Sequence, residues 1–266
     1  MSDQDRKAIS FLARSNDDPV KVFGVAVGAA FICALLVSGA TAYLRPVQEA
    51  NLAAEREARM AAMLDAVPGL RDVIAESGGD GLQTRMVDLE TGQFVAEADT
   101  AGFDYEAANT SEELAIAIPG DRDLARLRTR PAQIPVNIVE RDGELLLLIV
   151  PMRGRGYQST ISAVMALEAD LRTVAALRIL EQGETAGLGA RIEDPQWQAS
   201  WIGKQVADED GVIVIDVVRG GASTPFQVDG ISGATITSLG TANMIRYWLG
   251  DHGFGPLLER LRDQGV

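Results

Sequence analysis

From Val22 to Leu44 the chain runs 23 residues without a charge, bracketed by Lys21 and Arg45. A helix of that length spans roughly 34 Å, against a bilayer core of ~30 Å. A signal-peptide core is shorter, at about 7–15 residues. A helix inside a soluble core is not normally apolar all round for so long. The run therefore predicts a membrane span at 22–44, with 1–21 as a tail. Whatever folds in water must come after residue 45. Arg6, Lys7, Arg14 and Lys21 precede the span, and Arg45, Arg56 and Arg59 follow it. That small excess of positive charge leans toward a cytoplasmic tail and an external domain.

The remainder of the chain is acidic. Removing residues 1–45 takes away five basic and four acidic residues, leaving 19 basic against 34 acidic, a net charge of −15. A nucleic-acid partner is therefore not expected, because phosphate backbones select basic faces. The single cysteine, Cys33, lies within the span, so no intrachain disulfide can form. It reads as a small packing residue or as a contact to a partner's redox centre. His252 is the one histidine, in a Gly-Asp-His-Gly break. With no cysteine cluster and no second histidine, a Cys/His metal site is excluded.

Residues 45–68 are rich in Ala, Glu and Arg, with Met60, Met63, Leu64 and Val67 at helical spacing. They read as a helical stalk that ends at Pro68-Gly69 and docks its apolar stripe on the domain. Gly78-Gly79 opens a loop, and Thr84–Val95 reads as strand, turn at Glu90-Thr91-Gly92, strand. Phe103–Asp121 looks irregular. The run GELLLLIV at 143–150 predicts a buried strand, and 161–168 with 174–180 a hairpin about an acidic turn. Gln196–Lys204 reads as a short helix, with Trp197 and Trp201 as core anchors or as stacking residues. Gly211–Val218 predicts another buried strand. Helices are expected from near Ser238 to Leu249 and from Pro256 to Arg262. The whole is α+β: one N-terminal transmembrane helix, then one α+β domain at 69–266.

Two Ser-Gly-Ala-Thr tetrapeptides occur, at 38–41 and 232–235. The first lies inside the apolar span, where small residues favour close helix packing and hydroxyls bond back to helix carbonyls. The second extends to Asp229-Gly230-Ile231-Ser232-Gly233-Ala234-Thr235-Ile236-Thr237 and precedes a helix. A Thr there sets its hydroxyl beside unpaired N–H groups and the positive end of the helix dipole, where phosphate is well held. An ordinary N-cap is the plainer alternative.

Asp-Gly-x-Ser-Gly-Ala-Thr resembles the flavinylation motif of the FMN-binding domain family. That resemblance implies covalent FMN, joined by a flavin transferase to Thr235 through a phosphoester, with Asp229, Ser232, Gly233, Ala234 and Thr237 around it. Glu184-Thr185-Ala186-Gly187-Leu188-Gly189 is similar to the family's Glu-Thr-Pro-Gly-Leu-Gly loop, with Ala186 in place of Pro. It implies a flavin wall containing Glu184, Thr185, Gly187 and Leu188. Gly154-Arg155-Gly156-Tyr157 resembles a third family element, with Tyr157 where Trp is common. The flavin-binding part is then about 143–266, and no catalytic residue or metal is implied.

Lys21-Val22 entering the span, Leu44–Asn51 after it and Val87–Gly92 together resemble the C-subunit family of Na⁺-translocating NADH:quinone reductases. This resemblance covers nearly the whole chain. It implies an electron-carrier subunit of a Na⁺-transporting NADH:ubiquinone reductase, binding neither NADH nor quinone itself. The implied partners are other membrane subunits, including a second flavoprotein and iron–sulfur subunits. The implied location is the bacterial inner membrane, with the domain in the periplasm. Two alternatives stay open: the G subunit of an Rnf-type electron transport complex, and a membrane-anchored binding module without redox chemistry.

Overall fold

The computed structural model describes residues 15, 18–66, 82–96, 98, 100, 102–111 and 113–265. Within the first helix, side chains are described for 19–39, 41, 43 and 44. Most of the tail, the Pro68-Gly69 stop, the Gly78-Gly79 loop and the stalk's apolar stripe lie outside what is described. The chain divides into two units, 1–59 and 60–266, each described by itself.

Helix α1, Pro19–Ala66, dominates the first unit. The Asp18 carboxylate accepts the Val20 N–H at 2.9 Å and caps it. Over Pro19–Gly39 its mean hydropathy is 2.4, and none of that stretch is buried. Phe23, Phe31 and Leu36 all stand exposed. Such a surface is unfavourable in water and favourable in lipid. Thr41 donates its hydroxyl to the Val37 carbonyl at 2.8 Å, the back-bond expected of a hydroxyl in an apolar helix.

The second unit is built on a five-stranded antiparallel sheet in the order β1-β4-β5-β6-β7. Its strands are β1 (Leu82–Asp88), β4 (Gln133–Arg141), β5 (Glu144–Arg155), β6 (Thr160–Glu168) and β7 (Val174–Glu181). A small pair, β2 (Ala115–Ala117) and β3 (Thr129–Pro131), lies between β1 and β4 in sequence. Residues 144–150 of that run open β5, which is buried on both faces from Leu147 to Val150. Leu148 and Val150 join the main core, while Leu147 and Ile149 join a second cluster with Val139, Val164 and Ala176. Alternating side chains assign these to opposite faces of the sheet.

Short helices α2 (Tyr105–Thr110) and α3 (Pro195–Ala199) precede the two that shape the site, α4 (Thr235–Leu249) and α5 (Gly255–Gln264). Helix α4 lies against β5, where the absent side chain of Gly154 makes room for Met244. Trp248 of α4 packs on Phe254 and shares the main core with Trp201 and Leu257. Trp201 is fully buried and meets Trp197 edge-to-face at 5.6 Å, so the pair acts as an anchor.

Four expectations need correction. The strand foreseen after Glu90-Thr91-Gly92 reduces to a single bridge, Val87–Phe94, because the return segment turns away at Ala96. The irregular 103–121 stretch contains α2, capped by Asp104, and β2. The 211–218 strand shrinks to β8 (Asp216–Val218), which pairs in parallel with β9 (Gln227–Asp229). The Asp208 carboxylate takes the N–H groups of Asp210 and Val212 and holds a tight turn, after which Ile213 forms a single bridge to Ala207 rather than a ladder. Helix α4 begins at Thr235, three residues before Ser238.

Gly92 seats the β1 turn on α5: its φ is +67°, and a Cβ there would lie 2.4 Å from the Pro256 carbonyl carbon. Gly92→Ala should therefore destabilise the domain by about 2–4 kcal/mol. Thermal unfolding of the detergent-solubilised chain checks this, and an unchanged midpoint would contradict it.

Candidate functional site

The Asp229–Thr237 segment links β9 to α4 by a tight turn. The Ala234 N–H bonds the Ile231 carbonyl at 3.0 Å, and Gly233 has φ +79°. Ser238 holds this turn from within the helix. Its fully buried hydroxyl donates to the Ala234 carbonyl and accepts the Ile231 N–H, each at 3.0 Å. Ala234 occupies the N-cap position and offers no side-chain oxygen. The first amides of α4 are thus left without a side-chain cap, and the helix dipole favours negative charge there. The ordinary N-cap alternative does not apply to Thr235, which is the first helical residue.

Ser232, Gly233, Thr235, Ser238 and Leu239 line an open cleft of about 250 Å³ with Val217, Val218 and Arg219. A larger hollow of about 430 Å³ opens near the other end of α4. Its rim carries Asp210, Asp251 and Glu259 against one Arg262, a poor setting for an anion.

The two threonines of the motif differ sharply. Thr235 is half-buried and lines the cleft. Thr237 is 2 % exposed and donates its hydroxyl to Glu184 Oε2 at 2.7 Å. Glu184 also accepts from the backbone N–H groups of Tyr157, Gln158 and Ser159 and from the Ser159 hydroxyl. This buried carboxylate joins the turn after β5, the loop after β7 and the first turn of α4. Burial pushes its pKa up, but the bonds from Thr237, Ser159 and Gln158 outweigh that and hold it below the ordinary 4.5. Gly156 and Gly189 make room for it: a Cβ on either would come within 3 Å of its carboxylate.

Glu184 therefore departs from the expected wall. Its carboxylate is buried and serves as a clamp behind the site. Thr185, Ala186, Gly187 and Leu188 are exposed. They form a turn closed by the Leu188 N–H on the Thr185 carbonyl at 3.1 Å, with Gly187 at φ +75°. Positive φ at the third position needs Gly, and the second position, held by Ala186, is where such turns admit proline. Leu188 meets the motif turn, since a Cβ on Gly233 would touch its Cδ2 at 3.2 Å. Leu188 (46 %), Ile236 (53 %) and Leu239 (39 %) are all exposed, so apolar surface lies open around Thr235, and Tyr157 (61 %) is exposed on the turn after β5. Asp229 is exposed at the end of β9, and its carboxylate accepts the Ala222 N–H at 2.8 Å.

Sequence reasoning missed four contributors. Ser159 and Ser238 leave no signal that separates them from surface serines. Trp197 donates its indole N–H to the Asp229 carbonyl at 2.9 Å. Gly240 has a readable signal, a glycine inside a helix. A Cβ there would lie 2.6 Å from the Arg155 carbonyl, so α4 can approach the 155–156 turn only without one.

An uncapped helix N-terminus whose first residue, Thr235, lines the cleft, flanked by exposed apolar residues, suits a ligand with a phosphate and a flat apolar body. The profile of the FMN-binding domain family matches residues 156–250, the segment that builds this site. The chain is 37% identical over 254 residues to the C subunit of the Na⁺-translocating NADH-quinone reductase of Vibrio alginolyticus, covering 95% of this chain and 98% of that one. It is 34% identical over 245 residues to the same subunit from Pseudomonas aeruginosa, covering 90% and 94%. The crystal structure of Shewanella oneidensis NqrC superposes with a TM-score of 0.67 at 31% identity, over 73% of this chain and 88% of that one. The chain belongs to the C-subunit family of Na⁺-translocating NADH-quinone reductases.

Glu184→Gln replaces an acceptor oxygen with an NH₂ that must face donors, and should cost about 1–3 kcal/mol at pH 7. The folded pKa is depressed, so the wild-type advantage is full above the unfolded pKa and fades as pH falls through the folded value. Denaturant titrations at pH 7 and below 4.5 check this. An equal difference at both pH values would contradict it.

Proposed function

We propose that this chain is the electron-carrier subunit of a Na⁺-pumping NADH:ubiquinone oxidoreductase, and that it carries FMN on Thr235 as a phosphoester. The observation that supports the residue is the division of labour between hydroxyls. Thr235 lines the cleft at the start of α4, while Thr237 and Thr41 have theirs committed to Glu184 and to the Val37 carbonyl. Bound FMN supplies reversible redox chemistry. The chain's own part is to fix the phosphate at the helix N-terminus, where amides and dipole offset its remaining charge. Leu188, Leu239 and Tyr157 offer apolar surface to the ring, and Gly233 keeps the turn beneath it narrow. Attachment also removes any dependence on free cofactor concentration.

The names of the relatives support the reductase, and nothing in them favours the Rnf-type alternative. On this reading the partners are membrane subunits of the complex, including a second flavoprotein and iron–sulfur subunits, and a flavin transferase acts in maturation. The chain crosses the inner membrane once at 22–44, with 1–21 cytoplasmic, 45–68 a helical stalk and 69–266 periplasmic. The exposed apolar surface of α1 supports the crossing, and the family resemblance supports the orientation.

Three outcomes are expected. Thr235→Ala abolishes in-gel flavin fluorescence under denaturing conditions, while Thr41→Ala leaves it intact; persistence in Thr235→Ala contradicts the assignment. Leu188→Asp shifts the flavin spectrum and midpoint potential yet keeps the bond, and an unaltered spectrum and potential would remove Leu188 from the wall. Protease added outside the inner membrane digests the large domain; digestion of the tail alone would reverse the topology.

A further inference from the structure

Strands β8 and β9 are joined by residues 219–226, an arm whose first residue, Arg219, lines the cleft that contains Thr235. Arg219 leaves β8 exposed, and Gly220 and Gly221 follow with φ of +114° and +78°, conformations that other residues rarely adopt. The arm is fastened from β9. The Asp229 carboxylate accepts the Ala222 N–H at 2.8 Å, and the Gln227 side-chain oxygen accepts the Ser223 N–H at 3.3 Å. The strands beneath are fixed in turn. Arg246 of α4 pairs with Asp216 at 3.1 Å and donates to the Ile215 carbonyl at 2.6 Å, while Trp197 holds the Asp229 carbonyl. Arg219 is the one charged residue lining the cleft that contains Thr235. Among the described residues it has no hydrogen bond or ion pair.

Resting on the FMN reading above, we propose that Arg219 binds the flavin phosphate and that Asp229 positions it. Asp229 does so as a hydrogen-bond acceptor that shapes the 219–222 turn. A phosphodiester on Thr235 keeps one negative charge, and the helix N-terminus offsets only part of it. A guanidinium on the arm supplies the rest as a charge-assisted contact. The two glycines give the arm its shape, and the Asp229 bond selects that shape over alternatives. The acid of the motif thereby acquires a physical role, because one of its oxygens accepts a backbone amide of the arm.

The test compares FMN with riboflavin, which lacks the phosphate. Full-length Thr235→Ala chain in detergent is titrated with each ligand by equilibrium dialysis. FMN should bind more tightly than riboflavin. Adding Arg219→Gln should weaken FMN about tenfold and leave riboflavin within about twofold. Adding Asp229→Ala should reproduce that loss, whereas Asp229→Asn, which keeps the acceptor oxygen, should not. Equal weakening of both ligands, an unchanged FMN affinity, binding of neither ligand, or an Asp229→Asn as impaired as Asp229→Ala would overturn the proposal. Covalent flavin on the wild-type chain is read in parallel. Its presence alongside any of those results rejects Arg219 alone, and its absence rejects the FMN reading itself.

Discussion

The site depends on one buried carboxylate. Glu184 gathers donors from the turn after β5 and from the first turn of α4, and it belongs to the loop after β7. Three segments far apart in sequence are thereby held at one point. Burying such a charge is costly unless donors satisfy it. Here two hydroxyls and three backbone amides do so, and the depressed pKa is the consequence. Without the clamp, the Thr185–Leu188 turn would lose its tie to α4, and Leu188 its place beside Gly233.

The same tetrapeptide meets two fates in this chain because its surroundings differ. In the apolar helix, Thr41 has no water and no loop, so its hydroxyl returns to its own backbone. At Thr235 the chain has just left a turn, and the preceding helical turn that would accept such a bond does not exist. Two residues on, Thr237 faces inward and belongs to Glu184. Position relative to the helix start, rather than residue type, decides which threonine is left lining the cleft.

Much of this was legible in the sequence. The apolar run of β5, the β6–β7 hairpin and the long charge-free helix follow from hydrophobic pattern alone, because burial demands it. The motif turn was legible through its glycines and hydroxyls. What escaped depended on particular side-chain contacts that the hydrophobic pattern does not encode. Val212 and Ile213 have the pattern of a strand, yet after the turn that the Asp208 carboxylate holds, Ile213 makes only a single bridge to Ala207. Glu184 looked like part of a ligand wall, since nothing local reveals that donors from 25 to 53 residues away converge on it. The start of α4 was placed late because Thr and Ile are indifferent helix formers, and only the Ser238 tie marks the turn before them.

The proposed function stands on a single atom, the Thr235 hydroxyl oxygen. Peptide mass spectrometry of the full chain, made in cells that contain the flavin transferase, tests it most directly. One FMN adduct is expected, on the peptide containing Thr235, with fragment ions that locate it on that residue. An adduct on Thr237 or Ser232, or a chain with no adduct, would contradict it.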